Sequence, residues 1–222
     1  MPTFREVAVA AYCPRKLYYR RRACEQELGP PPRVRRIREL ADRYPALLAD
    51  DAALARAPIE PTPTQYRSRL GATKARLDAW TALCEPVDRD VLVDGEETRG
   101  RIHKLLPGPS LSLVFAGAPP DNGVWHPQTV RLVAAARALA DERDAPVERV
   151  YAEYPAHGVI RRVDVDRRRR GAYREALQTA RTVDGPPART SQRTKCRPCE
   201  FTDRCGVRTT SLLSRLAPGG EG

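Results

Sequence analysis

The stretch VDRDVLVDGEETRGRIHKLLPGPSLSLVFA, residues 87–116, decides the fold. Val87–Asp94 alternates apolar and polar side chains and closes on Asp94-Gly95, a hairpin turn signal. Thr98–Leu106 reads as the returning strand. Pro107-Gly108-Pro109 turns the chain again, and Ser110–Ala116 is a third, more apolar strand.

Downstream, residues 124–143 carry Val130, Leu132, Val133, Ala136 and Leu139 at helical spacing, with Pro127 tolerated in the first turn. Val147–Tyr154 and Val159–Val165 read as two more strands. Asp166–Val183 reads as a very basic helix, and a loop over 184–195 follows it. Upstream the pattern is helical. Thr3 and Glu6 form a capping-box signature, and a second helix starts at Pro14 and runs to about Arg22. Residues 33–48 are predicted as one amphipathic helix, with Val34, Ile37, Leu40, Ala41, Tyr44 and Leu47 near helical spacing. A proline-rich linker over 58–63 leads to a helix over 64–84, where Cys84 joins an apolar stripe with Leu77, Trp80 and Leu83. The order is helices, then β-β-β-α-β-β, then a helix and a cysteine-bearing tail. That order predicts an α/β class with a mixed sheet flanked by helices. The parts are 1–86 (helical), 87–165 (α/β core) and 166–222 (basic helix and cysteine segment), integrated into one domain.

The chain has 222 residues and a formal net charge of +11. Its length suffices for a substantial core. No run approaches the ~18 apolar residues of a membrane span. The residues Met1–Glu6 lack a basic segment followed by an apolar one, so no secretory signal is expected and the location expected is cytoplasmic. Residues 1–48 hold 11 basic and 5 acidic side chains, net +6, and residues 161–215 hold 15 and 6, net +9. The stretch between them is net −3. Two basic ends call for a polyanion, and nucleic acid is the commonest one. The groups expected to meet phosphate are Arg15, Lys16, Arg20, Arg21, Arg22, Arg33, Arg35, Arg36, Arg38, Arg167, Arg168, Arg169 and Arg170.

Of six cysteines, Cys196, Cys199 and Cys205 have the spacing C-x2-C-x5-C. A tight C-x2-C turn aims two thiolates at one centre, and the five-residue gap brings round a third. Tetrahedral zinc and an iron–sulfur cube both require four ligands. No His follows His157, so the fourth ligand comes from further away. Cys13 is the choice: it stands before Pro14 at a helix start, where the dipole favours a thiolate. Cys24 is the second choice, and Cys84 reads as core. Ligand type alone leaves zinc and iron–sulfur both open.

The segment Cys13-Pro14-Arg15-Lys16-Leu17-Tyr18-Tyr19, a β-β-β-α-β core and Cys196-x2-Cys199-x5-Cys205 together resemble the RecB-like nucleases of the PD-(D/E)XK superfamily. Within it, the CRISPR-associated four-cysteine exonucleases are the most similar group. The resemblance implies a restriction-endonuclease-like core. It also implies a 4Fe–4S cluster on Cys13, Cys196, Cys199 and Cys205, with zinc as the alternative. DNA is the implied partner, alongside a protein partner in DNA processing or CRISPR adaptation.

Members of that family cut DNA with a divalent metal held by an Asp in Gly-x-x-Asp and a Glu on the next strand, followed two residues on by a Lys. Here Gly100-Arg101-Ile102-His103 places His103 where the Asp belongs. From Leu105 to Pro120 there is no charged residue, so the next strand supplies neither Glu nor Lys. The family's Gln-x-x-x-Tyr survives only as Gln128, with Leu132 in the Tyr position. Asp90, Asp94, Glu96, Glu97, Glu153 and Asp164 are the carboxylates left nearby, and no pair of them has a telling spacing. His103 and Gln128 are therefore remnant positions of a catalytic set. Read by themselves they are a satisfied strand histidine and a solvent-facing helix residue. Mg²⁺ or Mn²⁺ enters only if cutting survives. The expectation is a DNA-binding protein on a nuclease-like frame that lacks standard nuclease activity. An active exonuclease and a zinc-held interaction module are the alternatives.

Overall fold

The computed structural model describes residues 1–23 and 31–206. Five strands form one sheet in the order β1-β2-β3-β4-β5: β1 Asp88–Asp94, β2 Arg99–Leu106, β3 Ser110–Val114, β4 Arg149–Tyr154 and β5 Val159–Asp164. β3 and β4 run parallel, Leu111 opposite Val150, and every other pairing is antiparallel. A parallel pair needs a crossover, and the helix His126–Arg143 supplies it. The chain is thus α/β with a mixed sheet, as its element order predicted.

Ten helices lie among the described residues. α1 Phe4–Tyr12 begins at Thr3, whose hydroxyl accepts from the Glu6 amide while the Glu6 carboxylate accepts from the Thr3 amide. α2 Pro14–Arg22 follows with Cys13 as the extended residue between the two. α3 Pro32–Glu39, α4 Tyr44–Ala49, α5 Asp51–Ala55, α6 Pro63–Arg76 and α7 Trp80–Cys84 are short. α8 is the crossover helix, α9 is Arg167–Thr182 and α10 is Thr202–Cys205. The predicted helix over 33–48 is split, because Pro45 has no amide to continue the ladder and instead starts α4. The predicted helix over 64–84 breaks at Leu77–Ala79, and α5 had no periodic signal long enough to reveal it.

Helices cover both faces of the sheet. On the back, α1, α8 and α9 pack Phe4, Val7, Leu139 and Tyr173 against Val93, Leu111, Leu113, Val150, Ala152 and Val163. On the front, residues of α3 to α7 and the 3-10 turn Leu40–Asp42 pack Leu40, Tyr44, Leu47, Tyr66, Leu70 and Leu83 against Leu106, Val114, Tyr151 and Ile160. The N-terminal third is therefore not one cap. α1 and α2, with Leu17, belong to the back layer, and α3 to α7 form the front. Cys84 is half-buried against that front core, in keeping with its stripe. Cys24 lies outside the described residues.

Gly95 has a different purpose from the turn flexibility that Asp94-Gly95 suggested. Its backbone is not left-handed, and its amide donates to the Thr98 carbonyl at 3.1 Å. A Cβ there would stand 2.4 Å from the Ala138 Cα, so the β1–β2 turn lies directly on α8. Gly95→Ala is expected to force that turn off the helix and lower stability by about 1–3 kcal/mol in urea unfolding. An unchanged midpoint would refute the close approach.

Candidate functional site

Three sites arise from this architecture. The first joins the chain's ends. Cys13, Cys196, Cys199 and Cys205 line one small cavity with Tyr12, Tyr19 and Phe201. The tail is turned so that the Cys199 amide donates to the Cys196 carbonyl at 3.0 Å and the Cys205 amide to the Phe201 carbonyl at 2.8 Å. The Thr202 hydroxyl spans both, donating to the carbonyls of Cys196 and Cys199 at 3.1 and 2.6 Å. α1 and α2 then hold the tail from far away in sequence. The Tyr12 hydroxyl donates to the Lys195 carbonyl, the Tyr19 hydroxyl to the Arg204 carbonyl, and Arg15 to the Pro187 carbonyl. Lys16 pairs with Glu200 at 2.7 Å, and the rings of Tyr19 and Phe201 stack. Burial first, and then the neighbouring sulfurs of Cys199, Cys13 and Cys196, raise the Tyr12 hydroxyl above its usual pKa. All five described cysteines are free thiols. Among the described residues no group of three or more His, Cys, Asp or Glu is drawn together tightly enough to hold a metal ion. The four thiols surround a common void without meeting at a point.

Most of the basic residues of α2 bind the protein's own groups. Besides Arg15 and Lys16, Arg21 pairs with Glu6 at 2.7 Å, and Arg22 donates to the Asp184 carbonyl and lies over the Tyr18 ring. Charge counting assigned these residues to a polyanion. It did not foresee that much of this charge would bind the protein's own carbonyls and carboxylates.

The second site is at His103. The β2–β3 ladder ends at Lys104 opposite Ser112. Beyond that point the Val114 amide donates to Nδ1 of His103 at 2.7 Å instead of to a strand carbonyl. The imidazole thus stands in for backbone where the strands part. Opposite it Asp90 has a φ of 53°, and side-chain alternation slips: Ile102 belongs to the back core, and Lys104, two residues on, faces the front. With Nδ1 accepting, the neutral ring carries its proton on Nε2. Burial, followed by the charges of Arg131, Arg38, Arg101 and Lys104, pushes the His103 pKa down to about 2. Gln128 is not solvent-facing, since its carbonyl accepts from the Tyr154 hydroxyl at 2.5 Å.

Beside His103, Glu153 does reach the front from β4, but Lys104 is already on it. Lys104 Nζ donates to Glu153 at 2.9 Å and to the carbonyls of Ala41 and Leu83 at 2.7 and 2.8 Å. The other Glu153 oxygen accepts from the Ser112 hydroxyl at 2.6 Å. Both charged side chains are essentially inaccessible, 2% and 0% exposed. Asp90, Asp94, Glu96, Glu97 and Asp164 do not join Glu153 in any ligand group among the described residues.

The third site is a cleft of about 960 Å³ at the β5 edge of the sheet. It is lined by Arg69 and Arg76 of α6, Arg161 and Arg162 of β5, and Arg168 and Arg169 of α9, with His126 at the start of α8. Asp121 is its one lining carboxylate. Arg161 donates to the carbonyls of Pro120, Asp121 and Gly123, which fixes the loop that forms one wall. Arg162 is 3.4 Å from Asp164, and Arg169 caps its own helix with Asp166. Of these residues only Arg168 and Arg169 were expected from sequence. Arg69 and Arg76 lie in the stretch that is acidic on average, and only their shared helix face, four and three residues from Thr73, was there to be read.

The remaining expected contacts scatter. Arg33 pairs with Glu60 at 2.7 Å, Arg36 is exposed on α3, and Arg35 and Arg38 face His103. Arg167 and Arg170 are exposed on α9. No helix among the described residues is long and apolar enough to cross a membrane. No family profile, curated protein or solved structure matches the chain.

Two measurements check this geometry. Lys104→Ala leaves Glu153 charged and buried, and should cost about 3–5 kcal/mol in denaturant unfolding. Lys104→Met with Glu153→Gln should recover much of that loss. For His103, the folded value lies below the ordinary 6.5, so its contribution is complete above about 6.5 and drains away as pH falls toward 2. The difference in unfolding free energy between wild type and His103→Gln should therefore shrink between pH 7 and pH 5. A His103 ring titrating near 6.5 by NMR would refute the inter-strand placement.

Proposed function

We propose that this chain is a DNA-binding protein built on a RecB-like, restriction-endonuclease-like core that has given up metal-dependent cutting. The arginine cleft at the β5 edge carries the reading: six guanidinium groups line it, two of them paired with Asp164 and Asp166, and together they form a channel suited to a phosphate backbone. Support for the frame comes from the order β-β-β-α-β and from the parallel β3–β4 pair joined through α8.

Support for the loss of cutting comes from three residues. A nuclease metal needs hard oxygen ligands open to substrate. His103 spends Nδ1 on the Val114 amide, and ligation through Nε2 would require moving its proton and giving up that bond. Glu153 is closed off by Lys104 and Ser112. β3 offers only apolar and hydroxyl side chains.

The cysteine cavity is read as the seat of a 4Fe–4S cluster. The donor set fits, with four free thiols lining one void. The same four thiols would also suit a tetrahedral zinc, the alternative occupant. Cys13, Cys196, Cys199 and Cys205 would hold the cluster, which supplies binding energy that fastens the tail to α1 and α2. Tyr12 and Tyr19 already hold that tail by its carbonyls.

Anaerobic purification should give a brown protein containing about four irons per chain. It should bind DNA with a slope of log K against log salt of about −3 or steeper, reflecting several phosphates, and leave that DNA intact with Mg²⁺ or Mn²⁺. Degradation abolished by His103→Ala would establish an exonuclease instead. Colourless protein with stoichiometric zinc would establish the zinc-held module.

A further inference from the structure

The cleft in front of His103 is separate from the β5-edge channel and has an unusual charge balance. It measures about 370 Å³ and is lined by five cationic side chains, Arg35, Arg38, Arg89, Arg101 and Lys104, against Glu39, Asp42 and Asp90. Two of the cations are committed elsewhere, Arg89 to Asp42 at 2.9 Å and Lys104 to Glu153. Arg101 touches only the Asp90 backbone carbonyl. Behind the histidine Arg131 comes from α8, on the opposite side of the sheet, and lies 5.9 Å from the Phe115 ring. The Nε atoms of Arg38 and Arg131 are both buried without a hydrogen-bond partner.

Buried donors of a charged group without an acceptor are costly, and native proteins keep them where a ligand completes the set. Here the uncompleted buried donor facing the cleft is the Arg38 Nε of α3. Arg38 and Arg131 also repel one another. Burial, then Arg38 and Arg5, lowers the Arg131 pKa to about 10, and Arg38 is lowered by its own burial, with Asp90 opposing. Arg131 does not line the cleft, but an anion held there would offset that repulsion and accept the orphaned Arg38 N–H. The neutral His103 ring adds an Nε2 donor, since Nδ1 is already accepting.

We propose that this cleft, between Arg35, Arg38 and Arg101 at the parting of β2 and β3, binds a phosphate group. The arginine fork suits phosphate geometry. The volume exceeds the ~30 Å³ of a water many times, leaving room for a phosphate together with part of a nucleotide. The source is a polynucleotide phosphate or a free one. The first alternative deepens the nucleic-acid reading above, but the site itself stands on the cleft alone.

Inorganic phosphate titrated into the wild-type chain by calorimetry is the first arm. The same titration on Arg38→Gln and on the exposed Arg101→Gln follows, with Arg168→Gln in the other channel as comparison. Phosphate should bind, weaken about tenfold for Arg38→Gln and Arg101→Gln, and stay unchanged for Arg168→Gln. Circular dichroism and the unfolding midpoint of each variant separate lost binding from lost folding. The second arm compares single-stranded oligonucleotides with and without a 5′-phosphate. Preference for the phosphorylated strand, lost in Arg38→Gln, assigns a chain end to the cleft, and equal binding that still falls in Arg38→Gln assigns an internal phosphate. Phosphate affinity that is absent, or untouched in both folded cleft variants, overturns the site even if DNA still binds the β5-edge channel. Phosphate binding with no oligonucleotide binding leaves the site standing and overturns the DNA reading instead.

Discussion

The ion pair between Lys104 and Glu153 lies where the sheet and the front helices meet, and the arrangement around it follows from satisfying it. A buried ammonium and a buried carboxylate each lose several kcal/mol of hydration, which their mutual attraction offsets only when the remaining donors and acceptors are filled. Lys104 has three N–H donors, and the structure supplies three acceptors: Glu153, the Ala41 carbonyl and the Leu83 carbonyl. The last two close the turn Leu40–Asp42 and α7 over the front of β2. Ser112 of β3 completes Glu153 of β4. One lysine thus joins β2, β4 and two front segments, while β3 bridges the gap with a hydroxyl. The Tyr44 ring, 5.2 Å from the ammonium, packs into the same place.

This constraint bears directly on chemistry. A carboxylate tied to an ammonium and a hydroxyl is a poor ligand for a hard cation, whatever its position in the sheet. The slip of alternation at His103 puts the histidine and Lys104 in consecutive positions lining one cleft, so cationic and neutral groups meet there. The field around His103 is positive, with burial as the main reason that its ring stays neutral. Such a place repels a cation and attracts an anion. The β5-edge channel repeats that polarity on a larger scale.

The junction of the two chain ends uses a different principle. α10 is a single turn and the tail around it has few buried side chains, Phe201 among them. Hydrophobic burial alone supplies little there. Tyrosine hydroxyls and arginines of α1 and α2 bind tail carbonyls instead, and the four cysteines line the cavity that remains. Fastening by side chain to backbone brings the thiols near one another without fixing them at a point.

What the sequence alone determined is local or repetitive. Alternation, the Thr3–Glu6 capping box, Pro14 after Cys13 and the helical period of 124–143 each involve neighbours within a few residues. They yielded the β-β-β-α-β-β order. The absence of charge from Leu105 to Pro120 was equally legible, because composition needs no geometry. Only the tertiary structure decided how distant charges pair. Lys104 and Glu153 are 49 residues apart in the chain. Arg38 and Arg131 meet at His103 from opposite layers, and the channel draws Arg69, Arg76, Arg161 and Arg168 from three elements. Net charge per segment averages such groups away. Whether an arginine binds its own backbone, as on α2, or lines an open cleft depends on which carbonyls and carboxylates the folded chain brings within about 3 Å.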